Sequence, residues 1–366
     1  MSKNLYSFNP DWMHEVIPGD SIVERMEDIG LSKTSLATNT GYSAKHIHKI
    51  INGTATINEI TALRLEKVLG ISANFWLNLE GDYRIALEKE KESIVLTHSI
   101  SWLKELPLKD MIKFNWINKF SDQVSQITEC LKFYGVASID AFRNMQNNNY
   151  QVVFKSSDKF NRSDIAIQTW VRQGERLGHQ IDCNSFNKKK LKETLGDFRV
   201  LTLSKDPDDF RPKLIKLCAA CGVAVVFVPT PAKCPMSGAT KWLTRDKALL
   251  LLSLRHKTND HLWFAFFHEI AHILKHTKQL FLEGGKGFEI NETLEEEANN
   301  FAADILIPQK YDLSSLKTKK DVVNFAKEIG TAPGIIVGRM QHRKIIPWSR
   351  FNELKIKYQW ENNEQG

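Results

Sequence analysis

The sequence predicts a mainly helical α+β chain: an N-terminal all-α helix-turn-helix domain, a helical middle, and a C-terminal domain with a small sheet and an H-E-x-x-H helix. Three observations carry that prediction. Short capped helical patterns separated by glycines fill residues 18–87, apolar strand-like runs occupy 223–254, and Phe267-His268-Glu269-Ile270-Ala271-His272 sits in an apolar helical stretch. The expected divisions are 1–87, 88–210 and 211–366. A chain of 366 residues is long enough for two or three separate cores.

Composition narrows the classes. The 42% hydrophobic and 25% charged fractions are those of a globular protein. No apolar run approaches the roughly 18 residues that a membrane span needs, so no membrane partner is expected. Five scattered cysteines (130, 183, 218, 221, 234) and the lack of a signal-peptide pattern predict a cytoplasmic chain without a disulfide framework. A net charge of +7 and a pI near 9.0 admit a nucleic-acid partner.

The N-terminal elements follow in order. Pro18-Gly19-Asp20 offers a turn, with Asp20 or Ser21 as the cap of a helix whose Ile22, Met26 and Ile29 keep helical spacing up to Gly30. Ser32 caps Lys33–Asn39, Gly41 supplies the sharp turn, and Ser43 caps Ala44–Ile51, which ends at Gly53. Helices over Ile57–Leu69 and Phe75–Leu87 complete the unit. In a helix-turn-helix the second helix enters the major groove. Lys45 and Lys49 could then reach phosphates or guanine edges, and Ser43 and His46 could hydrogen-bond to bases or phosphates. Ser32, Lys33 and Thr34 open the preceding helix, where backbone N–H groups favour phosphate.

Pro18-Gly19-Asp20, Leu36-Ala37, Gly41-Tyr42-Ser43, Ile51-Asn52-Gly53, Ala62-Leu63-Arg64-Leu65 and Leu69-Gly70-Ile71-Ser72 running to Leu79 resemble the HigA-type antitoxin branch of the XRE helix-turn-helix regulators. The resemblance covers about residues 18 to 87. It implies operator double-stranded DNA as a partner, a homodimer, and a cognate toxin.

Residues 88–210 read as helices joined by polar turns, with apolar spacing at Leu103–Leu106, Trp116–Phe120, Ile127–Phe133 and Ile165–Leu177. Glu88-Lys89-Glu90-Lys91-Glu92 suggests an exposed helix or linker and a domain boundary. Cys218 and Cys221 have the spacing of a metal or redox pair, but no second pair accompanies them, and they read as small core residues closing a helix.

Val223–Pro229, Ser237–Leu243 and Lys247–Leu254 read as strands. The helix with the histidines is expected from Asp260 to about Thr277, followed by a loop at Gly284, Gly285 and Gly287 and a second helix from Asn291–Glu292 to Pro308. Residues four apart on a helix share a face, so His268 and His272 can take two corners of a tetrahedral zinc site. Glu269 lies beside them, where it can take a proton from water. Lys278 stands where a third-histidine pattern would need histidine, which removes that class. His276 lies on the same helix and fits a supporting or surface role. A glutamate about one helix further on would complete the ligands. Glu295 shares its face with Ala298, Asn299 and Ala302; Glu297 is the alternative; Glu296 faces solvent. Asn299 could steady a histidine through its other nitrogen.

Phe264 through His276, Glu295 through Pro308, Val223 through Pro229, Ser237-Gly238-Ala239, Leu251 through Asp260, Ala332 through His342 and Ile345-Ile346-Pro347 resemble the ImmA/IrrE metallopeptidases over about residues 215 to 360. The one departure of note is Ile305-Leu306-Ile307-Pro308 in place of the common Leu-Leu-Met-Pro. The resemblance implies a zincin-like, minimal gluzincin domain and a cytoplasmic zinc endopeptidase that cleaves a repressor or regulatory partner. Expected roles are zinc on His268, His272 and Glu295, Glu269 as base, and His342 or Arg343 as donor to the oxyanion. The strand at Ala248–Leu254 could pair an extended substrate along its edge. The competing expectation is a toxin-neutralising autorepressor whose peptidase-like domain is a non-catalytic scaffold.

Overall fold

The computed structural model of the chain describes residues 17–150, 162–276, 280–283 and 292–360. The expected glycine loop at 284, 285 and 287, Lys278, and the expected helix end at Thr277 lie outside them. The chain divides after Ile100 into two compact units.

In the first unit α1 (Pro18–Asp28), α2 (Lys33–Thr40), α3 (Ala44–Ile51), α4 (Glu59–Leu69) and α5 (Ala73–Thr97) follow one another. α1 starts ahead of the expected cap at Asp20 or Ser21. Pro18 occupies the first helical position with its φ already set, and the Asp20 carboxylate reaches back to accept from the Ile17 N–H (3.3 Å). Ser32, Ser43 and Asn58 cap the next three helices, each side-chain oxygen accepting from the N–H three residues on. Gly41 closes α2 in the left-handed region at φ 70° and turns the chain into α3. Gly19 is small for another reason: a Cβ there would sit 1.8 Å from the Ile51 carbonyl oxygen, so α1 and α3 meet backbone to backbone.

The core of this unit holds Ile22, Leu36, Ile47, Ile50, Leu65 and Trp76. Each such side chain contributes about 1.5–3 kcal/mol on burial. α5 runs unbroken through Glu88–Glu92, so the boundary expected at residue 87 falls inside a helix. Glutamate and lysine propagate helix well, and Glu88 pairs with Lys91 at 2.6 Å.

The second unit opens with α6 (Leu108–Lys113), α7 (Gln123–Tyr134), α8 (Ile139–Tyr150) and α9 (Arg162–Gln180), then α10 (Lys188–Glu193), α11 (Leu195–Leu201) and α12 (Pro207–Ala219). The helix expected at Trp116–Phe120 is absent: Asn115 takes a left-handed φ of 55°, which stops α6 from propagating, and Trp116 and Ile117 are buried from an irregular segment. β1 (Val223–Phe227), β2 (Gly238–Thr244), β3 (Lys247–Leu252), α13 (Asn259–Lys275), β4 (Phe281–Glu283), α14 (Glu292–Leu306), α15 (Lys319–Ile329) and α16 (Pro333–His342) complete it.

The four strands form one sheet in the order β1-β3-β2-β4, with β1 parallel to β3 and β2 antiparallel to both its neighbours. β3 is therefore bonded on both sides, and the expectation that substrate pairs along its edge fails. Both faces of the sheet are covered, which is why its strands read as unbroken apolar runs. On one face α9 lies so close that a Cβ on Gly174 or Gly178 would come 2.7 or 2.8 Å from Leu251 or Leu249. Trp170 of α9 donates its indole N–H to the Val228 carbonyl (3.1 Å). On the other face Val223, Val225, Leu250 and Leu252 join the core that contains Phe266 and Ile270 of α13. The alternation follows from the period of two along a strand. From Ser101 on, the helical middle thus belongs to the same unit as the sheet and does not end at residue 210: α9 covers one face, while Leu191 of α10, Phe198 of α11 and Phe210 and Leu214 of α12 join the core around α13. Cys218 and Cys221 are fully buried thiols in this core. Among the described residues no helix is long and apolar enough to cross a membrane.

Candidate functional site

α13 is apolar on nearly every side because it runs through the middle of the second unit. Its cap residue is Thr258, not the expected Asp260, because the start of the helix is bound to the C-terminal segment instead. The Asn259 N–H donates to the Ile356 carbonyl (2.9 Å), and the Asn259 side-chain oxygen accepts from the Ile356 N–H (3.0 Å). Asp260 pairs with Lys355 at 2.6 Å, both side chains almost wholly buried.

Two turns further along, α13 meets α14. Ala298 and Ala302 are fully buried and let the second helix approach. Three donor atoms converge there. The Nε2 atoms of His268 and His272 stand 2.9 Å apart, and the two oxygens of Glu295 lie 3.2 Å from the first and 3.4 Å from the second. A tetrahedral ion with arms of about 2.0–2.1 Å needs donors roughly 3.3 Å apart, so this set fits a metal ion without rearrangement. Among the described residues it is the one group of three with this geometry.

The far nitrogens are anchored. His268 Nδ1 donates to Asn299 Oδ1 at 3.0 Å. His272 Nδ1 stands 2.8 Å from His276 Nδ1, and His276 Nε2 stands 3.4 Å from Glu297 Oε2. Proton donation outward from His272 through His276 to Glu297 leaves Nε2 of both ligand histidines as lone pairs aimed at one point. Phe281 of β4 stacks on the His272 ring at 4.1 Å. Glu295 and Glu297, two positions apart on α14, face different partners; Glu296 is exposed.

Burial pushes His272 down, against the raising influence of Glu295, which favours the neutral ring a metal requires. Burial pushes the Glu295 carboxyl up, but the adjoining His268 and His272 rings outweigh that and hold it at about 2. Glu269 is 0% exposed. Its seat is made by Gly238 at the start of β2, where a Cβ would stand 2.6 Å from Glu269 Oε1. Ser237-Gly238-Ala239 is conspicuous in the sequence, yet nothing local says that this glycine faces a carboxylate more than thirty residues later.

His342 ends α16, on the rim of a cavity that also includes His261 and Phe264. Phe264 is one turn before His268, with ring centres 6.3 Å apart. In the first unit Ser32, Lys33, Thr34, Ser43, Lys45 and Lys49 are all exposed. His46 is half-buried against Tyr42, with ring centres 4.6 Å apart, while Arg64 covers the same tyrosine and donates to the Thr40 carbonyl (3.0 Å).

Residues 22–76 match the family model for the helix-turn-helix, and residues 231–337 match that for the IrrE N-terminal-like domain, a peptidase family. The second match contains His268, Glu269, His272 and Glu295 and stops short of His342. Virulence-associated protein I of Dichelobacter nodosus is 33% identical over 84 residues, covering 22% of this chain and 78% of that protein. A solved structure of an addiction module antidote protein of a HigA family from Coxiella burnetii is 30% identical. That match covers 23% of this chain and 91% of the other, with a TM-score of 0.21.

Proposed function

We propose, for a chain that belongs to the XRE-type helix-turn-helix regulators and carries an IrrE-like peptidase-family domain, that it represses from operator DNA and cleaves a regulatory protein, or itself, as a zinc-dependent endopeptidase. The observation that carries the enzymatic half is Glu269. A fully buried carboxylate one residue from a metal-binding histidine, seated by a glycine, serves no purpose in a metal site that only holds the fold.

His268, His272 and Glu295 would hold the zinc, which supplies Lewis-acid polarisation and an activated water at neutral pH. Asn299 and the His276–Glu297 pair keep the two rings oriented. Glu269 takes the proton of the attacking water and returns it to the leaving amine. His342 is assigned as donor to the oxyanion, since it rims the cavity that Phe264 joins to His268. Lys45 and Lys49 neutralise phosphates, and Ser43 and His46 address base edges or phosphates, with Ser32, Lys33 and Thr34 on the backbone. On this reading the protein is cytoplasmic and binds two half-sites as a homodimer.

The test uses the full chain and its Glu269→Gln variant with zinc content measured on both. Each is incubated with the proteins encoded beside it and alone, and new termini are mapped by mass spectrometry. The expected result is cleavage by the wild type and none by the variant at equal zinc content. If the wild type cleaves nothing while it still binds the DNA upstream of its own reading frame, the domain is a non-catalytic scaffold, as in a regulator that only neutralises a cognate toxin.

A further inference from the structure

Beside the His268, His272 and Glu295 group, and sharing only His342 with the chemistry proposed above, lies a cavity of about 360 Å³ between the first half of α13, the end of α14 and α16. That volume is within the range of small-molecule sites, roughly 300–1,000 Å³. Its walls include Phe264, Leu306, Ile307 and Ile335, the last three almost completely buried. Arg255 and Arg339 bring positive charge to its lining. Asp260 is the lining carboxylate, and it is already paired with Lys355 at 2.6 Å. Arg255 stands at the mouth and donates to the Pro235 carbonyl. The His256 and His261 rings are stacked there at 4.3 Å.

Arg339 decides what such a cavity takes. It projects from the middle of α16, its Nε is buried without a hydrogen-bond partner, and among the described residues its guanidinium has no ion pair. A guanidinium held against apolar walls costs free energy until an anion meets it, and its planar fork matches a carboxylate or phosphate. We propose that this cavity binds an amphipathic anion: a carboxylate or phosphate head on Arg339 with an aromatic or aliphatic body against Phe264, Leu306 and Ile335. The same chemistry is offered by a free small molecule and by an acidic residue of a bound peptide.

The probes are 4-phenylbutyrate, its neutral amide and phenyl phosphate, titrated calorimetrically into the full chain before and after metal removal by chelation. The expected result is saturable binding at one site per chain for both anions, retained after chelation. The amide should bind about tenfold or more weakly, and Arg339→Gln should lower anion affinity by about the same factor. Displacement of 4-phenylbutyrate by a blocked peptide with one internal glutamate assigns the site to a residue of a bound chain; no displacement assigns it to a free small molecule. Equal binding of acid and amide to the wild type overturns the proposal whatever the variant does. So does the absence of saturable binding, or binding that chelation abolishes and Arg339→Gln leaves unchanged, which would put the anion on the metal.

Discussion

The two functional regions of this chain are built in opposite ways. The helix-turn-helix surface comes from residues within about twenty positions of one another, all exposed except the half-buried His46, on helices whose caps and closing glycines are local. The candidate metal site is assembled across distance. α13 gives two histidines and Glu269, α14 gives Glu295 and Asn299, and β2 gives the glycine against which Glu269 rests. On the proposed function the exposed surface acts by charge and tolerates imprecision, since phosphate contacts are long-range and hydrated. The buried centre works by geometry, where an ångström decides whether three donors meet.

That contrast can be broken by experiment. The largest effect belongs to Glu269→Gln, expected to lower turnover by roughly 10²–10⁴-fold with zinc content and DNA affinity unchanged, read by peptide cleavage alongside a gel-shift titration. Asn299→Ala removes the anchor of His268 and is expected to weaken metal affinity about 10–100-fold, measured by competition with a chelating indicator. Full loss of the metal should likewise leave DNA binding intact. Lys45→Ala with Lys49→Ala should flatten the slope of log K against log salt by about 2, with metal content unaltered. An unchanged slope would remove both lysines from the DNA surface. Gly238→Ala drives a Cβ into the Glu269 carboxylate; it should cost about 1–3 kcal/mol on thermal unfolding and lower turnover without lowering DNA affinity. Ser43→Ala is the smallest, about 1 kcal/mol of stability from the lost cap of α3, read as a lower Tm.

How much was legible follows the same line. The bounds of α3 were readable to the residue, because Ser43 and Gly53 mark both ends within the segment itself. The three principal strands were readable within two or three residues at either end from their apolar runs and intervening turn. The sequence pattern ends α5 at Leu87 and the helix runs to Thr97, because a run of alternating charge marks an exposed helix and a linker alike. The apolar spacing of Trp116–Phe120 predicts a helix that the structure lacks, since spacing does not reveal the left-handed backbone at Asn115.

The sequence by itself determined the chemistry: which residues can bind a metal, which can take a proton, and which face carries positive charge. Side-chain type and helical period settle those matters before any tertiary contact forms. Tertiary structure alone decided which glutamate meets the histidines, that β3 is an inner strand, that α9 belongs to the sheet, and that Gly238 seats Glu269. Each of these depends on the packing of segments far apart in the chain, where steric fit between backbones is the deciding quantity, and a local pattern carries no record of it.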